Sequence, residues 1–127
     1  KLNILNKLDA PKVYVEIYGD PIMTVSDSSF VGNIVEMVGA NNVFDNLPRD
    51  YSRISPEKVL NAMPDVMIIT YPGVSAEQVR ERKGWNNIPA VKNNRIYTVE
   101  DINPDLILRS SPRIVQGMQK LLEILGE

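Results

Sequence analysis

The order of apolar segments predicts an α/β fold: a three-layer, Rossmann-like lobe with a mainly parallel central sheet and helices on both faces. Three observations carry this. A β-rich run, Val13-Tyr14-Val15-Glu16-Ile17, lies near the start. A four-residue apolar run, Val66-Met67-Ile68-Ile69, has the character of a strand covered on both sides. Segments of helical spacing fall between such runs and again at the end, where Ile114, Val115, Met118, Leu121, Leu122 and Leu125 form a broad apolar face.

Each element has a local reason. Residues 1–8 carry Leu2, Leu5 and Leu8 at three-residue spacing and are expected to be the tail of a helix. Ala10-Pro11 breaks it, and residues 12–18 follow as a strand that Gly19-Asp20-Pro21 ends. Residues 26–29 offer several N-caps for a helix built on Phe30, Ile34, Met37 and Val38, with Gly39 as its C′ residue. Residues 41–53 are loop-like, rich in Asn, Asp and Pro. Ser55 caps the next helix, and Pro56 suits its first position, where no N–H is needed. Pro64-Asp65 stops it before the buried strand. Tyr71-Pro72-Gly73 turns the chain, and Ser75-Ala76-Glu77-Gln78 has the form of a capping box opening a charged helix to about Lys83. Residues 88–91 connect, Asn93-Asn94 turns, residues 95–99 form a strand, residues 100–109 are irregular or a short helix, and Ser111-Pro112 opens the last helix.

The chain has 127 residues, a net charge of −2 and neither Cys nor His. One domain is the default at this length. The charge balance lacks the basic excess of a nucleic-acid surface, and no apolar run approaches the roughly 20 residues that span a bilayer. Without Cys or His there is no thiol nucleophile, imidazole base or ordinary zinc site. There is no G-x-G-x-x-G or Walker pattern, no acid/base pair of carboxylates stands out, and Arg80-Glu81-Arg82-Lys83 reads as an exposed helix face. No resident metal or cofactor is expected. The chain begins at Lys1 without Met and is read as a fragment or processed product.

In a sheet of this kind ligands gather at the carboxyl ends of the strands. Three loops are expected there: residues 18–27, 71–74 and 100–109. Two begin at Tyr18 and Tyr71, and the third carries Asp105 and Arg109. Glu57 stands apart, off its helix's apolar stripe and near the positive end of the dipole.

From Pro11 onward the chain resembles the C-terminal lobe of class III substrate-binding proteins of ABC importers, those for ferric siderophores, haem and vitamin B12. The resemblance rests on an ordered set: a strand reaching Glu16, Pro21 and a Ser/Phe-led helix closed by Val38-Gly39-Ala40-Asn41-Asn42-Val43, then Ser55-Pro56-Glu57-Lys58-Val59-Leu60 and Pro64-Asp65-Val66-Met67-Ile68-Ile69. Gly84-Trp85, Ala90-Val91-Lys92-Asn93-Asn94-Arg95-Ile96-Tyr97 and Arg109-Ser110-Ser111-Pro112-Arg113-Ile114 complete it. Each piece is weak alone; the order is specific.

The resemblance implies residues 1–9 as the end of an inter-lobe linker helix and residues 10–127 as one α/β lobe, the N-terminal lobe being absent from this chain. It implies an extracytoplasmic protein, periplasmic or lipid-anchored, that captures an iron–siderophore or corrinoid and does no covalent chemistry. It implies docking on the permease subunits through Glu57, the matching position of the family's exposed glutamate. On the residues alone, Glu57 merely complements the helix dipole, worth about 0.3–1 kcal/mol. Ligand contact is assigned to Tyr51, six positions before Glu57, and to Asp105 and Arg109, with Tyr18 and Tyr71 at the rim. Asp105 and Arg109 equally suit a local i,i+4 ion pair worth about 0.3 kcal/mol. Trp85 is expected to pack beside Gly84, and Arg113 to be held by a salt bridge. The lack of His argues against imidazole ligation of haem, leaving a Tyr ligand open. The isolated lobe, offering one wall of a cleft, is expected to bind weakly or not at all. Two rivals are weighed: a chelatase-like metal-cofactor enzyme, which wants a proton acceptor such as His in the cleft, and a flavodoxin-like interaction module, which wants an acidic cluster after the first strand, where Asp20 and Asp27 are scattered around Pro21.

Overall fold

The computed structural model describes residues 11–26, 29–44, 47, 49, 51–107 and 112–125. The expected linker helix, most of residues 45–50, and Arg109 lie outside them. Within them a central sheet separates two helical layers. In chain order the elements are β1 (Lys12–Gly19), β2 (Ile22–Val25), α1 (Phe30–Met37), β3 (Asn41–Asn42), β4 (Tyr51–Arg53), α2 (Pro56–Ala62), β5 (Val66–Ile69), α3 (Ala76–Arg80), α4 (Pro89–Lys92), β6 (Ile96–Tyr97) and α5 (Ile114–Leu125). The sheet order is β4-β2-β1-β5-β6, with β3 paired to the start of β1. Strands β1, β3, β5 and β6 run parallel; β2 turns back antiparallel on the end of β1, and β4 is antiparallel to β2.

The period of two along the strands sorts the core. Val13 and Val15 of β1 join Val66 and Ile68 of β5 under α1 and α5. Tyr14 of β1 joins Met67 and Ile69 of β5 on the other face, under Val59 of α2, Val79 of α3 and Ala90 and Val91 of α4. Alternation puts Glu16 on that second face, and it is fully buried. All four residues of β5 are buried, as a strand with helices on both sides must be.

The caps follow local chemistry. Ser29, Ser55 and Ser75 accept hydrogen bonds from the backbone N–H of Gly32, Lys58 and Gln78, and Ser75 with Gln78 closes a full capping box. Gly39 follows α1 at φ +93°, the left-handed C′ conformation that glycine adopts without a Cβ clash. Arg95 donates to the carbonyls of Ile124 and Leu125 at 3.0 and 3.2 Å, setting a cation against the negative end of α5.

Three expectations are corrected. Residues 18–27 and 41–53 are not only loops. They contribute β2, β3 and β4, and buried Asn42 binds this stretch to the sheet by donating its side-chain N–H to the Val25 carbonyl at 2.9 Å. Tyr51 therefore starts a strand, across from Val25, instead of standing in a polar loop. On α5 the buried residues are Gly117, Met118, Leu121, Ile124 and Leu125, while Val115 is half exposed, because the helix turns its stripe one position from the expected one. The charged helix ends at Arg80 and not near Lys83. Gly84, at φ +82°, swings the chain into a 3-10 turn at Trp85–Asn87, and Arg82 points inward.

Candidate functional site

The parallel strands β1, β5 and β6 deliver their carboxyl ends to one edge. On β1 the ladder slips between Glu16 and Tyr18, a bulge that bends the strand and re-aims its last residues. The Glu16 carbonyl accepts from both the backbone N–H and the hydroxyl of Thr70, each at 3.0 Å, which ties the exit of β5 to that of β1. Tyr18 and Tyr71 thereby meet, with ring centroids 6.2 Å apart and planes tilted by 44°. Gly19 permits this: a Cβ there would run into the Tyr71 hydroxyl.

Farther along the same edge, a pocket of about 420 Å³ opens between the loop after β5, the start of α3 and the loop after β6, lined by residues 73–76, 78 and 98–101, with neither tyrosine in its lining. Its β6 wall is braced from within. Asp101 accepts from the Thr98 backbone N–H at 2.9 Å, and the Thr98 hydroxyl accepts from the Glu100 N–H at 3.3 Å. Asp101 is thus occupied by its own loop, while the Glu100 side chain is exposed.

Below the edge sits a buried charged cluster that the sequence reading did not assemble. The Glu16 carboxylate accepts two parallel bonds from the Arg82 guanidinium at 2.7 and 2.9 Å, one from the Tyr14 hydroxyl at 2.7 Å, and one from the Tyr71 hydroxyl. This fork geometry is the strong form of a charge-assisted hydrogen bond. Burial, reinforced by the charge and hydrogen bond of Glu16, pushes the Tyr14 phenol far above the ordinary tyrosine range. Burial and the hydrogen bond to Glu16 push Tyr71 up to about 12. Burial works against the charge on Arg82, but the hydrogen bonds and charge of Glu16 outweigh it, holding the guanidinium above its usual range. Arg82 also lies over the Trp85 ring, 4.7 Å from its centroid, a cation–π contact. Trp85 is buried, as its packing role requires, and its indole N–H donates to the Pro56 carbonyl at 3.2 Å.

The reading of Arg80-Glu81-Arg82-Lys83 as an exposed face is thus wrong for Arg82. Its signal was present: an acid in the middle of the β-rich run falls, by alternation, on the buried face of Tyr14 and demands a counter-charge.

The other expected site residues are scattered more widely. Tyr51 is 45% exposed on β4, two strands from β1, and level with Val25 instead of with Tyr18. The residue brought level with Tyr18 is Arg53, through the cross-strand row Arg53–Met23–Tyr18. Arg53 is exposed, and the sequence reading overlooked it. Asp105 is exposed in a 3-10 turn, Pro104–Leu106, where its backbone N–H donates to the Asn103 side chain at 2.9 Å. Its pairing with Arg109 falls outside the described residues. Arg113 donates to Gln116 at 3.0 Å. Glu57 is exposed in the first turn of α2, which begins at the end of β4 on the same side of the sheet as the strand exits. Among the described residues no group of three or more His, Cys, Asp or Glu is placed to hold a metal ion, and no helix is long and apolar enough to cross a membrane.

A family model described as periplasmic binding protein matches residues 5–103. Over 97% of its length the chain is 32% identical to an uncharacterized ABC transporter substrate-binding lipoprotein, YvrC, of Bacillus subtilis (strain 168), of which it covers 38%. It is 25% identical, over 93% of its length, to the vitamin B12-binding protein of Vibrio parahaemolyticus, covering 42% of that protein. The crystal structure of a possible iron-binding (periplasmic solute-binding) protein from Staphylococcus epidermidis superposes with a TM-score of 0.83 at 29% identity, over 93% of this chain and 46% of that one. The chain spans about two fifths of the length of these curated relatives.

Proposed function

The chain belongs to the periplasmic binding protein family, and from that premise we infer that it is the C-terminal lobe of the extracytoplasmic substrate-binding component of an ABC importer. Its relatives are substrate-binding proteins of transporters, not enzymes, which sets the chelatase-like alternative aside. Residues 10–127 form the lobe, residues 1–9 end the helix that joins it to an N-terminal partner lobe, and the ligand lies between the two. The cargo is an iron–siderophore or a corrinoid. The relatives' printed names, one for vitamin B12 and one for iron, support that range. The B. subtilis relative is a lipoprotein, which favours a lipid-anchored location over a free one.

The observation that carries this reading is the shared sheet edge. There the exits of β1 and β5 bring Tyr18 and Tyr71 together, and a pocket opens between the exits of β5 and β6 on the same edge, features that suit one wall of a cleft. We further propose Tyr51, Asp105 and Arg109 as ligand contacts, Tyr51 reaching the ligand from a strand two places removed from β1. Glu57 serves the second task. Its carboxylate stands exposed on a short capped helix at the same end, where a permease arginine can grip it through two parallel hydrogen bonds.

The test is a titration of the full-length protein with cyanocobalamin, haemin, ferrichrome and ferric enterobactin, followed by tryptophan fluorescence. Saturable one-to-one binding of a corrinoid or a ferric siderophore is expected, weakened about tenfold or more by Tyr51→Ala or Tyr71→Ala. Binding of none of the four contradicts the reading, and binding untouched by either substitution contradicts the pocket.

A further inference from the structure

A buried ion pair is an expensive way to fill space. Apolar residues of similar volume often serve stability as well or better. The Glu16–Arg82 pair is therefore informative for what it touches. At one end Tyr71, half buried at the sheet edge beside Tyr18, places its hydroxyl on Glu16 and 3.3 Å from Arg82 Nη2. At the other end the same guanidinium stacks on Trp85, whose N–H holds the carbonyl of Pro56, the residue before Glu57. A series of contacts thus runs from the proposed ligand wall to the Pro56 carbonyl, one residue before the proposed docking glutamate.

The geometry points to Arg82 as a positioning residue that couples Tyr71 to the first turn of α2, so that occupancy of the cleft alters how Glu57 is presented. The coupling of cleft to docking rests on the proposed function. Its two states are concrete. With the cleft empty, the Tyr71 hydroxyl belongs to Glu16 and shares Nη2 of Arg82. With a ligand acceptor claiming that hydroxyl, the guanidinium keeps only the Glu16 carboxylate, which Tyr14 still holds, and the Trp85 ring. The fork then re-seats on the Trp85 ring, and the indole carries the shift to the Pro56 carbonyl. Lysine in place of Arg82 would keep the charge but lose both the fork and the flat stacking surface.

The experiment needs neither ligand nor permease, so its failure is separable from failure of the cleft assignment. Amide hydrogen exchange at Lys58 and Val59, in the first turn of α2, is measured in the full-length protein and in Tyr71→Phe, Trp85→Phe and the double variant. Each single change removes one hydrogen-bonding group and keeps a ring. The two residues meet through Arg82 and, by a longer route, through Glu16 and Tyr14, whose ring stands edge-on to Trp85, so the double-variant cycle reads their coupling and Arg82→Lys reads the guanidinium's share of it. Each single variant is expected to speed exchange at these amides about threefold to tenfold, and the double variant no more than the larger single effect. Arg82→Lys is expected to fold and to match that effect without being worsened by Tyr71→Phe. Unchanged α2 exchange in Tyr71→Phe, multiplicative effects in the double variant, or an equal rise throughout α5 would each overturn the coupling. If Arg82→Lys does not fold, the Tyr71–Trp85 cycle is repeated with Tyr14→Phe, which cuts the hydrogen bond of the other route; coupling that persists there upholds Arg82 as the relay, and coupling that vanishes overturns it.

Discussion

Two glutamates in this lobe have opposite surroundings. Glu16 is fully buried and accepts four hydrogen bonds from Arg82, Tyr14 and Tyr71. Glu57 is exposed in the first turn of α2 and takes part in no salt bridge among the described residues. The difference teaches how to separate structure from function in a carboxylate. A buried acid with every lone pair engaged has no capacity left for a partner, and its loss is felt in stability. An exposed acid in a first turn whose Lys58 and Val59 N–H groups are already held by Ser55 gains little for the fold, and its proposed use lies outside the lobe.

The sharpest way to break this contrast is to remove the counter-charge. Arg82→Met leaves Glu16 buried and half paired, and a loss of roughly 3 kcal/mol is expected in chemical denaturation. A loss below about 0.5 kcal/mol, the size of an ordinary surface change, would put the pair in the same class as Glu57. Removing the cap beneath Glu57 comes next: Ser55→Ala is expected to cost about 1 kcal/mol, read in the same assay.

A pH titration sharpens the buried side. Tyr71 keeps its proton in the fold up to about 12, against about 10 in the unfolded chain. A raised folded pKa means the neutral phenol favours folding. That contribution is whole below the unfolded value and is lost as pH rises through the window up to about 12. Phenolate absorbance should therefore show a late step that Tyr71→Phe removes, and an unaltered curve would deny the bond to Glu16. The smallest stability effect is reserved for Glu57→Gln, about 0.5 kcal/mol or less in thermal unfolding. A larger loss would show Glu57 working for the fold.

How much of this was legible in the chain follows the range of the interactions. Ser29, Ser55, Gly39 and the Ser75–Gln78 box act within four residues, and the structure places each cap where the sequence implies it. The buried strand β5 announces itself by four consecutive apolar residues. The strands β2, β3 and β4 were hidden because two to four residues are too few to show alternation, and their pairing partners lie elsewhere in the chain. The Arg82 fork was hidden for the same reason: its partner is 66 residues away, and a charge run looks the same whether or not one member turns inward. The edge itself was foreseen from topology, with Tyr18 and Tyr71 on it. The place of Tyr51 was misjudged, and Arg53 went unnoticed, because the cross-strand register is set by a hairpin that the sequence did not reveal.

The division of labour between cleft and docking carboxylate is tested most directly by one variant, Glu57→Ala in the full-length protein, with ligand affinity and cellular uptake measured on the same ligand. The account predicts that affinity is unchanged while uptake is abolished. Uptake at the wild-type rate, or a loss of affinity, would contradict it.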